Sequence, residues 1–398
     1  MLSTDGILRE HGPMSNDGGA SSQGAGSAGG ANEGLQEAPA GAAGTEQVEL
    51  AGAASTDVKT HRFRFDGTGS EYFKIWIVNV VLTVLTLGVY SAWAKVRTKG
   101  YFYRNTFVDG SSFEYLAEPL NILKGRLIVG ALLVAAYVAQ SFSQTVYLAV
   151  IAVFVLLSPA MMALSVAFNA RNSAYRNVTF GFAGDIAGAY RAVFLGGLIY
   201  VVTLGLGLPV MQRMLVRYFF ANHRYGKLRF QWDVGLGRFY KVYGIGFAIV
   251  LFGAIAALTV SALTMGGLLH RPADVGMLGV TFSVLGFYMS MLLAVGYVQA
   301  ELTNEVVGGV AVGQHKLKAD LEPLPMIWLI LSNALAVSLT FGLFFPWAKV
   351  RLARYRLEHL ILEQHGDFIV AADPDGGSPG ALGEAAVDLG DLDFDFGF

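Results

Sequence analysis

Side chains able to do chemistry are few in this chain of 398 residues, and they are far apart. Cysteine is absent, which excludes disulfides, thiolate nucleophiles, iron–sulfur clusters and Cys-based zinc sites. The seven histidines are scattered. His359 and His365, with Glu358 and Glu363 beside them, are spaced closely enough for a weak metal site. The expectation is instead that they decorate the polar face of a final interfacial helix. No HExxH, GxSxG, GxxxxGK[ST] or EF-hand pattern occurs, so neither an enzyme nor a cofactor is expected. Asp66, Glu71, Asp109 and Glu114 recur around strands and turns, where pairing with Arg or Lys suits them better than acid–base catalysis.

A second group of polar residues lies inside apolar runs: Asn79, Thr86, Thr203, Asn333 and Thr340. They could coordinate a solute or ion near mid-membrane. The favoured role is helix–helix hydrogen bonding, about 0.6–2 kcal/mol each. Gly88, Gly205, Pro209, Gly342 and Pro346 mark places where a helix bends, breaks or packs closely. After each such place comes a mixture of cations and rings. Lys95, Arg97, Lys99 and Arg104 form one set, Arg213 and Arg217 a second, and Lys349, Arg351 and Arg354 a third. Cations that meet phosphates while rings face acyl chains describe a helix at a lipid interface, so the expected partner is anionic lipid headgroups. Nucleic acid would need a soluble basic face, which the sequence lacks.

The elements that carry these residues belong to a membrane. Hydrophobic residues make up 54% of the chain and charged residues 15%, with mean hydropathy +0.49. The net charge of −2 averages three unlike regions. Residues 1–57 and 366–398 are acidic, rich in small residues, and expected to be disordered, solvated tails. The second ends in alternating Asp and Phe, Asp391 to Phe398, and what partner would bind either tail is left open. The first lacks a basic segment followed by an apolar one, so no cleaved signal peptide is expected. Residues 58–365 form a basic body with seven apolar runs near 75–94, 125–142, 145–168, 192–211, 243–265, 275–299 and 326–347. The expected fold is an all-α multi-pass membrane protein with short β-hairpin-like stretches outside the membrane.

The body repeats. A shift of 254 carries Thr86-Leu87-Gly88 and Trp93-Ala94-Lys95-Val96-Arg97 onto Thr340-Phe341-Gly342 and Trp347-Ala348-Lys349-Val350-Arg351. A shift of 117 carries Phe63, Phe65, Gly67, Thr86, Gly88 and Tyr101 onto Phe180, Phe182, Gly184, Thr203, Gly205 and Tyr218. Three copies result, about 61–168, 178–299 and 315–370. The string Phe63-x-Phe65-x-Gly67, Tyr72-Phe73, Asn79, Thr86-Leu87-Gly88-x-Tyr90-x-x-Trp93-x-Lys95-Val96-Arg97, Tyr101 and Asn105-Thr106 resembles the YjgN-like family of bacterial inner-membrane proteins. The resemblance covers roughly 60–365. It implies a multi-pass inner-membrane protein and supplies no catalytic residue. The middle copy departs from it most, with Met211-Gln212-Arg213-Met214 in place of Trp-Ala-Lys-Val.

Charge then bears on topology. If all seven runs cross, Lys and Arg divide almost evenly between the two sides. If runs one, four and seven enter and leave on one face, 26 of the body's 27 Lys and Arg share that face and only Arg271 opposes them. Retention of cations in the cytoplasm predicts the second arrangement, with re-entrant or broken segments at the Thr-Leu-Gly sites and both tails cytoplasmic. Trp76 and Trp93 around run one, and Trp328 and Trp347 around run seven, fit plain crossings equally well. Two functional readings stand, either as a monomer or as an oligomer. Repeats and broken segments favour a small transporter or channel-like protein, although its membrane interior offers no ionisable residue for coupling. The alternative is a non-enzymatic scaffold or anionic-lipid-interacting factor.

Overall fold

The computed structural model describes residues 58–265 and 273–366. The expected acidic tails and the connection containing His270-Arg271-Pro272 lie outside these residues.

The strands are not isolated hairpins. They assemble into one sheet of eleven, a correction to the all-α expectation. Its parts are β1 (Val58–Arg62), β2 (Arg64–Phe65), β3 (Thr106–Val108), β4 (Ser111–Tyr115), β5 (Ser173–Tyr175), β6 (Val178–Phe182), β7 (His223–Tyr225), β8 (Leu228–Trp232), β9 (Val310–Val312), β10 (His315–Ala319) and β11 (Leu360–His365). Neighbouring strands are antiparallel throughout, and the order runs β1-β11-β10-β9-β8-β7-β6-β5-β4-β3-β2. Because β1 and β2 are consecutive in the chain, the two ends of this order meet at Phe63 and the sheet closes into a ring.

The register repeats five times. Each longer strand pairs through its first half with the short strand before it, then changes partner at one residue and pairs onward. Phe107↔Ser112 gives way to Phe113↔Tyr175, Ala174↔Thr179 to Phe180↔Tyr225, and Arg224↔Arg229 to Phe230↔Val312. Leu317, opposite Leu362, and Phe63, between β1 and β2, are the remaining switch residues. All five switch residues pack against the ring's core, which contains Val108, Tyr175, Tyr225, Val312 and Leu362. The Tyr175 hydroxyl donates to the Val108 carbonyl at 2.8 Å, and the Tyr225 hydroxyl to the Tyr175 carbonyl at 2.8 Å. Burial pushes the Tyr225 phenol up to about 12. A closed ring leaves no sheet edge, which is how strands of two to six residues persist without longer ladders. The turns fit this geometry. Asp109-Gly110 and Arg176-Asn177 have positive φ at both central residues, and Gly226 and Gly313 supply it at the first.

Between successive hairpins of the ring the chain makes a helical excursion. These are α1 (Gly69–Leu85) with α2 (Ser91–Arg104), α3 (Pro119–Phe142) with α4 (Gln144–Arg171), and α5 (Ile186–Tyr190) and α6 (Gly196–Val202) with α7 (Leu208–Ala221). Next come α8 (Leu236–Met265) with α9 (Ala273–Gly308), and α10 (Pro323–Leu339) with α11 (Phe345–Glu358). A π-helical turn, Arg191–Leu195, joins α5 to α6. Every excursion returns to where it left. The amide after the outgoing strand donates to the carbonyl capping the incoming helix, in five equivalent bonds: Asp66 to Asn105, Leu116 to Asn172, Ala183 to Asn222, Asp233 to Gly309 and Asp320 to His359, all 2.7–3.3 Å.

The excursions come in two lengths. Of the seven expected crossings, four described helices are long and apolar enough to span a membrane: α3, α4, α8 and α9. Runs one, four and seven are not single helices. Each breaks at its Thr-x-Gly site and turns back.

Candidate functional site

The turn at each break is built from the same three residues. Thr86 ends α1, Leu87 comes next with φ +51° and then Gly88 with φ +92°. Leu204 and Gly205 (φ +51° and +94°) and Phe341 and Gly342 (φ +50° and +89°) repeat this after Thr203 and Thr340. The amide of Gly88 donates to the Thr83 carbonyl and that of Leu87 to the Val84 carbonyl, the paired bonds of a Schellman cap. The Thr hydroxyl serves both helices. Thr86 Oγ1 donates to the Leu82 carbonyl at 2.7 Å and accepts from the Tyr90 amide at 2.9 Å. Thr203 and Thr340 do the same with Ile199 and Gly207, and with Ala336 and Phe344. The hydroxyls of Thr86, Thr203 and Thr340 thus hold the turn together. Gly88, Gly205 and Gly342 lie in these turns with positive φ. Pro209 and Pro346 open α7 and α11, where a proline's missing amide costs nothing, so they start helices rather than bend them.

What the turns present is apolar. Leu87 and Leu204 are each 95% exposed and Phe341 97%. A left-handed conformation costs a non-glycine residue about 1–2 kcal/mol, yet three large apolar side chains hold it at the same place.

Behind the first turn, α1 and α2 line most of an open cleft of about 490 Å³. Lys95 and Lys99 reach it from α2, Arg126 from α3 and Lys349 from α11. Trp76, Val80 and Val84 line its apolar side, and no Asp or Glu among the described residues does. Lys99 donates to Asn169 Oδ1 at 3.1 Å and lies over the Tyr115 ring, while Lys349 lies over Phe102. Asn79 is 5% exposed and lines the same cavity. Its Nδ2 donates to the Ala94 carbonyl at 3.3 Å and to Thr98 Oγ1 at 3.5 Å; its Oδ1 has no hydrogen-bond partner.

The remaining cations of the three basic sets do not converge. Arg97 donates to the Tyr90 hydroxyl at 2.9 Å, Arg104 to the Gly100 carbonyl at 3.1 Å, and Arg354 to the Gly67 carbonyl at 2.8 Å. Arg213 donates to the Val234 carbonyl at 2.7 Å and lies over Trp232, whereas Arg217 is exposed. Arg351 donates to Asn333 Oδ1 at 2.7 Å and to Ser332. Sequence reasoning missed Arg126, whose signal was a cation at the very start of an apolar run. The acids pair as expected in part: Asp109 with Arg176 and His61, and Asp66 with Arg64. Glu71 instead completes a capping box with Thr68. His359 and His365 are not on one helix face. His359 caps α11 and faces the Tyr355 carbonyl, and His365 ends β11, its amide donating to His315 Nδ1. No cluster of three potential metal ligands occurs among the described residues.

A family model described as a bacterial protein of unknown function, DUF898, matches residues 60–389. The chain belongs to that family. Among curated proteins it is similar to inner membrane protein YjgN of Escherichia coli K12, 29% identical over 160 residues, 40% of each chain. The match to the protein of the same name from E. coli O157:H7 has the same identity and extent. YjgN of Salmonella typhimurium is 21% identical over 353 residues, 76% of this chain and 88% of its own. The aligned region thus spans two fifths of the length of the E. coli relatives. No solved structure matches. The DUF898 chain is a member of a YjgN-like bacterial inner-membrane family, with four helices of membrane-crossing length among its described residues.

Proposed function

We propose that this DUF898 protein is a non-enzymatic, one-sided membrane scaffold that engages anionic lipid. The ring lies on the cytoplasmic face, two long hairpins cross, and three short hairpins enter one leaflet. The observation that carries this reading is the short hairpin itself. At 1.5 Å per residue, Leu87 lies about 12 Å beyond Lys95 and about 18 Å beyond Lys99. Half the hydrocarbon thickness is about 15 Å, so with the cations among headgroups the apolar turn ends near the bilayer centre. Further support comes from charge. The 26 described Lys and Arg of the body lie in the ring, the short hairpins or the ring-proximal ends of the long helices, as retention of cations in the cytoplasm requires. The pairing of Val58 with His365 in the ring supports a cytoplasmic start for both tails on this reading.

A solute path along the ring axis is disfavoured by the side chains that fill it, Phe63, Phe113, Phe180 and Phe230 among them. Extraction of the protein with its surrounding bilayer in polymer discs, followed by lipid quantification, tests the reading. Anionic lipid enriched over the bulk membrane is the expected result, and bulk composition would contradict it.

A further inference from the structure

The five helical excursions pack side by side into a closed circle. α2 lies on α3, α4 on α5, α7 on α8, α9 on α10, and α11 on α1. Next to the ring this circle holds ten helical rods, taking α5, the π-helical turn and α6 as one. Six of the ten end at the Thr-x-Gly turns, where Leu87, Leu204 and Phe341 stand almost fully exposed. Among the described residues only α3, α4, α8 and α9 continue beyond that level. Their far halves are largely bare. Every buried residue of α4 lies from Pro159 onward, in the half nearer the ring, and residues 144–158 hold none. Tyr137 of α3 is 73% exposed, Phe252 of α8 71% and Phe282 of α9 65%.

Such a body displaces the two leaflets unequally. A helix about 10 Å across occupies about 80 Å², so six helices confined to one leaflet add about 500 Å² to that leaflet alone. The inequality is built in. Thr86, Thr203 and Thr340 each bond to both helices of their turn, which holds the short hairpins bent back. We infer that the protein is a membrane-curvature wedge, which gathers at and bends bilayer whose ring-side leaflet is convex. Volume inserted in one leaflet expands it, and the expansion is relieved when that leaflet takes the outer side of a bend. Preference for a bend and the making of one are a single coupling free energy. In a cell the favoured shape is membrane bulging into the cytoplasm. This rests on the proposed one-sided arrangement and adds an activity to it, with a curved lipid surface as the partner.

The test uses the full-length protein in giant vesicles, with a dye on the single cysteine of Gln314→Cys, in an exposed turn of the ring. A narrow tube is pulled outward from the vesicle, and an impermeant quencher separates molecules with the ring outside from those with the ring inside. Ring-outward molecules should be several-fold denser on the tube than on the vesicle, and ring-inward molecules should be depleted there. Equal densities on tube and vesicle, or the same sign for both orientations, would overturn the inference. Leu87→Asp, Leu204→Asp and Phe341→Asp together put charge at the exposed tips, on a residue that tolerates left-handed backbone, and draw the hairpins toward the headgroups. Sorting should then be lost. Sorting unchanged in this variant would assign the effect to the bulk of the ring and overturn the wedge. Leu87→Cys separates the two readings. Its modification by an impermeant thiol reagent from the side opposite the ring would overturn the one-sided arrangement itself, whereas an unreactive position 87 without sorting would overturn the wedge alone.

Discussion

Thr86, Thr203 and Thr340 each hold two helices together with one hydroxyl, and that concentration of bonds makes the position sensitive. Thr86→Val keeps the shape and removes both contacts, so it should cost about 1–2 kcal/mol in denaturant unfolding. Leu87 has the opposite sign. Leu87→Gly relieves the left-handed strain and should raise stability by up to about 1 kcal/mol, while leaving the turn without its apolar tip. His223 offers a pH test. Burial holds its pKa below the ordinary histidine value, with the Phe219 carbonyl pulling weakly the other way. The unfolded chain therefore binds this proton more readily, so stability is full above about pH 6.5 and falls as pH drops toward the depressed value. Thr106 and Ser173, at the corresponding ring positions, make the same contact to the carbonyl four residues back. Accordingly, His223→Thr should keep the bond and flatten the melting temperature between pH 7 and 5. The sequence showed Asn79 and the three threonines as polar residues among apolar ones. It could not show which were satisfied, because Asn79 and Asn333 differ in where the arginine eighteen residues further on turns, Arg97 to Tyr90 and Arg351 to Asn333.

At the scale of elements, the short hairpin explains why seven apolar runs yield four candidate spans. Hydropathy counts the apolar residues of α1 and the turn as one crossing, whereas the Thr-Leu-Gly site, legible in all three copies, stops the helix after 17 residues. The base of each short hairpin is pinned by a tyrosine on its returning helix. Tyr101, Tyr218 and Tyr355 donate to the carbonyls of Thr68, Asp185 and Glu322 at 2.9–3.0 Å. Replacing Tyr101 by Phe should therefore destabilise the protein by about 1 kcal/mol, with protection from amide exchange lost first in α1. These tyrosines and the Phe-x-Gly turns were visible as repeats. Their purpose was not, since each contact joins residues 33 apart.

At the largest scale, the described residues form a ring of four hairpins closed by β11 with β1 and β2, carrying five helical excursions, three short and two long in alternation. The shifts of 117 and 254 each link true switch residues, Phe63 with Phe180 and with Leu317. Each two-hairpin unit was thus legible, but the single unit beneath it was not. Phe63 and Phe113 are equivalent in the ring, yet the first leads into a short basic hairpin and the second into a long apolar one. Strand pairings of two or three residues leave too little pattern to betray closure. With an odd number of excursions two short hairpins must adjoin, and they do so where Phe73 stacks on Trp347 at 4.9 Å.

A one-sided scaffold requires every excursion to start and end on the same face of the membrane. The protein has no cysteine, so single cysteines can be placed without background. Positions 110, 177, 227 and 314 lie in the four exposed turns of the ring, and Phe142, 84% exposed, lies at the far end of α3. Labelling with an impermeant thiol reagent in oriented membrane vesicles should modify all four turns from the cytoplasmic side and position 142 only from the other. Any two of the four turns labelled from opposite sides would contradict the one-sided arrangement.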